Sequence, residues 1–117
     1  MEFSALGGLP GAFVKFFLEK AGNVGLTKML DGFEDRSATA VCAIAFTAGP
    51  GRDVFVFEGR APGRIVQARG EKNFGWDPIF QPEDYELTYG EMDDVQKSTI
   101  SHRYKAAERL KAFLTAL

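Results

Sequence analysis

The chain has 117 residues, 45% of them hydrophobic and 26% charged, with a formal net charge of −2. That is ordinary globular composition at the size of one domain, so residues 1–117 read as a single domain able to bury a core. The mild acidity excludes the electrostatic footprint of a protein that binds a nucleic-acid polymer or an anionic membrane, and the single cysteine, Cys42, excludes an intrachain disulfide.

A lone thiol fits a reducing compartment. No basic stretch followed by an apolar run opens the chain, and its apolar segments fall far short of the ~20 residues a bilayer span needs. A soluble cytoplasmic protein is the expectation.

In chain order, Leu9-Pro10-Gly11 breaks the backbone and predicts a helix over 12–21. Phe13, Phe17 and Ala21 fall on one side with Val14 and Leu18 beside them, while Lys15, Glu19 and Lys20 point toward water. A second short helix over 24–31 carries Val24, Leu26, Met29 and Leu30, and Gly32 stops it. Residues 38–47 predict a strand apolar at both alternating sets, so both faces are expected to be covered. Gly49-Pro50-Gly51 turns, and 53–58 predicts a second strand hairpin-paired with the first. Gly59 to Gly63 reads as a further turn and 64–68 as a third strand. Residues 70–75 form a polar loop, and 81–97 are turn-rich and acidic. The last helix runs from Ser98 or Ser101 to Thr115, with Tyr104, Ala107, Leu110, Leu114 and Leu117 as its apolar stripe and Ser98 or Thr99 as cap. The fold class is α/β (α+β mixed), without the regular alternation of a doubly wound nucleotide fold.

Four segments carry candidate chemistry. Gly7-Gly8-Leu9-Pro10-Gly11 lacks the Gly-Lys-Ser or Gly-Lys-Thr of a phosphate loop; it is either a turn that starts a helix or a backbone that passes close to a ligand. Lys15, one turn in, is either solvated surface or a phosphate contact. Gly32 to Ala38 packs two acids and a base into a loop that is either a solvated turn fixing entry into a strand or, as the lesser alternative, part of a subunit or active-site edge. Phe74-Gly75-Trp76-Asp77-Pro78-Ile79-Phe80 spends three aromatic rings within seven residues, which a solvated loop rarely does unless the rings are buried or used. Asp77 beside them is costly to bury unpaired, so it caps a turn or receives a ligand hydrogen bond. Ser101-His102-Arg103 opens the terminal helix, where the helix end favours anions and an arginine adds planar donors. Lys97, four residues earlier, reaches the same place. One histidine without His or Cys neighbours gives no metal site. Stacking rings plus a carboxylate, amine, imidazole and guanidinium make a kit for gripping one flat polar ring.

Taken together these segments resemble the inosine triphosphate pyrophosphatase family. The residues that carry the resemblance are Ala5-Leu6-Gly7-Gly8-Leu9-Pro10-Gly11, Gly32-Phe33-Glu34-Asp35-Arg36-Ser37-Ala38, Gly63-Arg64-Ile65, Arg69-Gly70, the Phe74–Phe80 motif, Glu91-Met92 and Ser101-His102-Arg103-Tyr104-Lys105-Ala106, in family order along nearly the whole chain. Lys15, with Phe-Phe-Leu-Glu-Lys after it, is similar to the eukaryotic branch. The resemblance implies an elongated mixed β-sheet flanked by helices, a homodimer, and Mg²⁺-dependent hydrolysis of ITP, dITP or XTP to the monophosphate and pyrophosphate. It implies a substrate-binding set of Lys15, Phe74, Gly75, Trp76, Asp77, Lys97, His102 and Arg103. Ala68, Gly90 and Ser98 stand where the family usually has Pro, Ala and Asn. The family's Ser/Thr-x-Asn-x-x-Lys phosphate loop, metal-binding Glu and acidic pair, which precede the Ala-Leu-Gly-Gly segment, are not in this sequence. Catalytic residues and metal ligands therefore stay unassigned. Two readings stay open: an enzyme of this family represented by its C-terminal portion, or a chain that binds purine nucleotides or dimerises without turnover. An interaction module that kept only the fold is disfavoured by Trp76, Asp77, Lys97, His102 and Arg103.

Overall fold

Two long strands set the shape of the molecule. In the computed structural model, which describes residues 1–70 and 75–117, β2 (Ser37–Thr47) and β3 (Val54–Ile65) pair antiparallel from Ser37 opposite Arg64 to Thr47 opposite Val54. Short strands flank this hairpin. β1 (Glu2–Phe3) pairs with the start of β2, and β4 (Phe80–Pro82) with the end of β3, in the order β1-β2-β3-β4. Helices α1 (Val14–Lys28), α2 (Asp94–Ile100) and α3 (His102–Thr115) complete the α/β architecture. The body is elongated, 47 × 29 × 23 Å. The sheet implied as mixed is antiparallel in every pairing among the described residues.

The core sits at one end of the hairpin. Phe3, Leu26, Leu30, Ala40, Ile65, Ile79, Phe80, Tyr89 and Met92 are sealed from water there. Burial of each large apolar side chain contributes about 1.5–3 kcal/mol. Leu26 and Leu30 come from the second half of α1, while Val14 and Leu18 of its first half pack against the core edge. Phe13, Phe16, Phe17 and Val24 face outward, so the side expected to hold Phe13, Phe17 and Ala21 is the exposed one. The two expected helices are one run in space, broken internally at Gly22, whose φ of 69° and ψ of −179° lie outside helical space. Glycine tolerates that backbone without a Cβ penalty.

The strand expectations need three corrections. There is no turn at Gly59 to Gly63 and no separate strand over 64–68: β3 runs unbroken to Ile65. Gly59 is there because α3 crosses it, and a Cβ at that position would strike the His102 carbonyl and the Ala106 amide. Gly63 lies under the Phe80 ring and the Gln81 carbonyl; close backbone approach is a recognised use of a strand glycine. Nor are both faces of β2 covered along its length. Ala38 and Ala40 are buried, but Ala43, Ala45 and Thr47 are exposed, as are Val54 and Val56 opposite them.

The C-terminal third departs from expectation in detail. The acidic stretch holds β4 and α2, the latter capped by Asp93, which accepts a hydrogen bond from the Gln96 amide at 2.7 Å. Ser101, not Ser98 or Thr99, caps α3, accepting from Tyr104 N at 3.1 Å. The packed side of α3 carries His102, Ala106, Leu110 and Phe113, not the stripe through Tyr104, Ala107, Leu114 and Leu117. Phe113 meets Phe46, Phe55 and Phe57 at centroid distances of 6.0, 4.8 and 5.2 Å. These aromatic contacts fix α3 on the hairpin.

Candidate functional site

The Gly75-Trp76 turn leads into a short 3₁₀ turn, Asp77–Ile79, with Pro78 near its start. Gly75 has a φ of 55°, a left-handed conformation that glycine adopts freely. Its carbonyl accepts a hydrogen bond from Asn23 Nδ2 at 3.0 Å, so the residue just past the break in α1 fastens the turn. On the other side, Arg69 and Glu91 pair at 3.2 Å and Thr88 Oγ1 donates to the Arg69 carbonyl at 2.8 Å. Gly70 lies against the Gly90 backbone with no room for a Cβ.

Asp77 is buried, and its carboxylate is engaged within the chain. Lys97 from α2 reaches it, Nζ to Oδ2 at 2.5 Å, with the two side chains 23% and 8% exposed. The ammonium also lies 5.4 Å from the centre of the Tyr89 ring, within cation–π range. Burying the carboxylate is tolerable only because that charge is paired.

Trp76 stands beside this pair. Its ring lies 5.4 Å from the His102 imidazole, 6.1 Å from Tyr89 and 5.6 Å edge-on from Phe80. His102 is held by its place as first residue of α3 and keeps 8% of its surface exposed. Burial, then the positive charges of Lys97, the Met1 amino group and Arg103, pull its pKa down to about 4. The imidazole is therefore neutral at pH 7, with one donor and one acceptor nitrogen. Burial pushes the Tyr89 phenol up to about 12, so it too is neutral.

The structure thus brings Gly75, Trp76, Asp77, Lys97 and His102 together. Arg103 is exposed in the first turn of α3, next to His102. Lys15 stands exposed in the first turn of α1, and no described hydrogen bond ties it to the group. Phe74 lies outside the described residues. Sequence reasoning missed Tyr89 and Asn23. Tyr89 carried a faint signal as an aromatic residue in an acidic, turn-rich stretch; Asn23 carried none beyond its glycine neighbour. The Gly32–Ala38 loop does structural work, with Arg36 donating to the Ile65 and Thr27 carbonyls at 3.3 and 3.1 Å. A separate half-open cavity of about 760 Å³ is lined by Ser4, Arg36, Arg64, Gln81 and Tyr85 among others and shares no residue with the Trp76 group. Its Arg36 and Gln81 are engaged in internal hydrogen bonds. The Trp76 group is the better candidate, because neutral polar atoms and ring faces converge there.

The model of the Ham1 family matches residues 1–113. The chain belongs to the Ham1 family. Among curated relatives, the inosine triphosphate pyrophosphatases of Yarrowia lipolytica and Mycosarcoma maydis are 54% and 55% identical over 97% and 100% of this chain. The chain spans 61% of the length of each. Among solved structures, a HAM1 protein from Coxiella burnetii superposes with a TM-score of 0.90 at 30% identity, over 99% of this chain and 64% of that one. The Staphylococcus aureus Ham1 protein gives 0.83 at 34%, over 98% and 62%. These matches are to the same family whose motifs the sequence carries, and the mixed helix-and-sheet class agrees with both structures. No helix is long and apolar enough to cross a membrane among the described residues.

Proposed function

We propose that this Ham1-family chain supplies the base-recognition part of a pyrophosphatase that hydrolyses non-standard purine nucleoside triphosphates (ITP, dITP, XTP) to the monophosphate and pyrophosphate. The observation that carries the reading is the convergence of Trp76, Asp77, Lys97 and His102, drawn from three separate segments, into one partly buried group of rings and hydrogen-bonding atoms. The names of the relatives agree with it. So does a Mycobacterium abscessus structure described as a nucleoside-triphosphatase and dITP/XTP pyrophosphatase, 31% identical with a TM-score of 0.78.

In this reading the Trp76 face stacks on the purine and Phe74 adds a second ring. Donors from Lys97, Arg103 and neutral His102 meet the 6-keto oxygen. Adenine presents an amino group at the same position, which would leave donors facing donors, and buried unpaired donors are costly. Asp77 holds the Lys97 ammonium in place rather than acting as a proton carrier, and Lys15 contacts the nucleotide from α1. Pyrophosphate release in the family implies Mg²⁺. Among the described residues no group of three or more His, Cys, Asp or Glu is placed to hold a metal ion, so the residues present do not fit that role and no step is routed through it. The homodimer and the cytoplasmic setting belong to the same proposal.

Calorimetry with ITP, ATP and GTP, run beside pyrophosphate release with Mg²⁺ present, tests the reading. ITP should bind at least about tenfold more tightly than ATP, the factor that one lost hydrogen bond of about 1.4 kcal/mol supplies. Arg103→Ala should remove most of the ITP affinity. Equal affinity for ITP and ATP, or an Arg103→Ala chain that binds ITP unchanged, would overturn the assignment.

A further inference from the structure

Among the described residues, three buried side-chain polar atoms lack a hydrogen-bond partner: Asn23 Oδ1, the Tyr89 hydroxyl and His102 Nδ1. All three belong to side chains around the Gly75-Trp76 turn. Asn23 binds the Gly75 carbonyl, and Tyr89 and His102 both face the Trp76 ring. Buried polar groups are normally paired, and an orphan costs about 1–3 kcal/mol. Three gathered at one place mark a spot where packing has been subordinated to something else.

Tyr89 is the best placed of them to act on another residue. It is wholly buried, and its ring lies parallel to the imidazole, 8° between planes and 6.0 Å between centres. Phe80 packs edge-on against the Tyr89 ring at 4.9 Å, and the Lys97 ammonium lies over the Tyr89 face. The His102 backbone amide, one of the unpaired donors at the start of α3, acts on the phenol oxygen without closing a hydrogen bond of ordinary geometry. We propose that Tyr89 is a positioning residue for His102, its ring holding the imidazole beside Trp76 with Nδ1 turned inward and the opposite edge left for a ligand. Only the identity of that ligand rests on the base-pocket reading above; the positioning rests on the ring geometry.

The charged and titratable groups that face His102 are Lys97 from α2, Arg103 from α3 and the Met1 amino group, with the Asp77 carboxylate behind Lys97. None of these groups is itself removed when Tyr89 is replaced, and the Asp77 carboxylate still holds Lys97. His102 is the only histidine in the chain, so its titration can be followed by NMR without ambiguity. In the unaltered chain the imidazole should titrate near pH 4. Its ring protons should show nuclear Overhauser contacts to the Tyr89 ring protons. Tyr89→Leu, checked for folding by circular dichroism, removes the flat wall and lets water reach the imidazole. The titration should then move up by about one unit or more toward the ordinary histidine value. Tyr89→Phe keeps the wall and should titrate within about half a unit of the unaltered chain, by the same burial argument. Absence of the Overhauser contacts would overturn the proposal, as would a folded Tyr89→Leu chain that titrates like its parent. If Tyr89→Leu does not fold, the Overhauser contacts and the Tyr89→Phe titration decide. A chain that meets these expectations yet binds no inosine nucleotide would overturn the base-pocket reading and leave the role of Tyr89 standing.

Discussion

Asp77 and Lys97 carry opposite charges into a partly buried group, and their value lies in being together. Lys97→Met leaves a buried carboxylate without its partner and should cost about 3 kcal/mol in urea unfolding. The double change Asp77→Asn, Lys97→Met should recover much of that loss, because neither charge then remains; a double variant as unstable as the sum of the singles would contradict the pairing. His102 acts in the opposite sense. Its folded pKa, about 4, lies below the ordinary 6.5. Between those values the unfolded chain binds a proton that the folded chain refuses, so stability falls as pH drops through this window and levels off below it. The loss attributable to His102 should be roughly 3 kcal/mol, and should be missing when the pH profile of His102→Gln is subtracted. Superimposable profiles would show that the imidazole is not buried as described. At this scale the sequence singled out residues that the structure brings together. Trp76, Asp77, Lys97 and His102 were all legible from their chemistry and from the family motifs. What Asp77 does was not, because its partner lies twenty positions away on a helix that the acidic stretch concealed.

At the level of elements, the legible features were those with a local cause. The break at Gly22 and the hairpin turn each follow from a residue at the place where the backbone changes. The illegible ones were glycines whose cause is tertiary. Gly59 and Gly63 look like turn residues, and the sequence offers no way to see that α3 and Phe80 press on a continuous strand there. Asp93 and Gln96, three apart, formed a helix-start signal that could have revealed α2. Gly59→Val should therefore lift α3 from the hairpin and cost about 3 kcal/mol, at the upper end for overpacking. A Gly59→Val chain with unchanged urea midpoint would mean that the crossing is looser than its geometry. Because α3 also carries His102, the same variant should weaken any ligand that the Trp76 group binds.

The whole molecule leaves apolar surface uncovered. Phe13, Phe16 and Phe17 on α1 and Val54 and Val56 on β3 face outward. Beyond the two residues of β1, the outer edge of β2 has no strand beside it among the described residues. Exposed apolar patches and open strand edges favour association. Sedimentation velocity should show concentration-dependent oligomers, and a single monomeric species up to high concentration would contradict this. The α/β class and the family were readable because the motifs follow in order along nearly the whole chain. The one-ended core was not, since alternating apolar residues in β2 look the same whether or not a layer covers them.

In the proposed function the Trp76 group reads a purine by its 6-keto oxygen. Trp76 is the only tryptophan, so its fluorescence reports directly on the group. We would titrate the chain with inosine monophosphate and, separately, with adenosine monophosphate, which differ in that one substituent and need no turnover. Emission should change saturably with the inosine nucleotide, with at least about tenfold weaker response to the adenine one. Identical curves for the two, or emission indifferent to both, would contradict it.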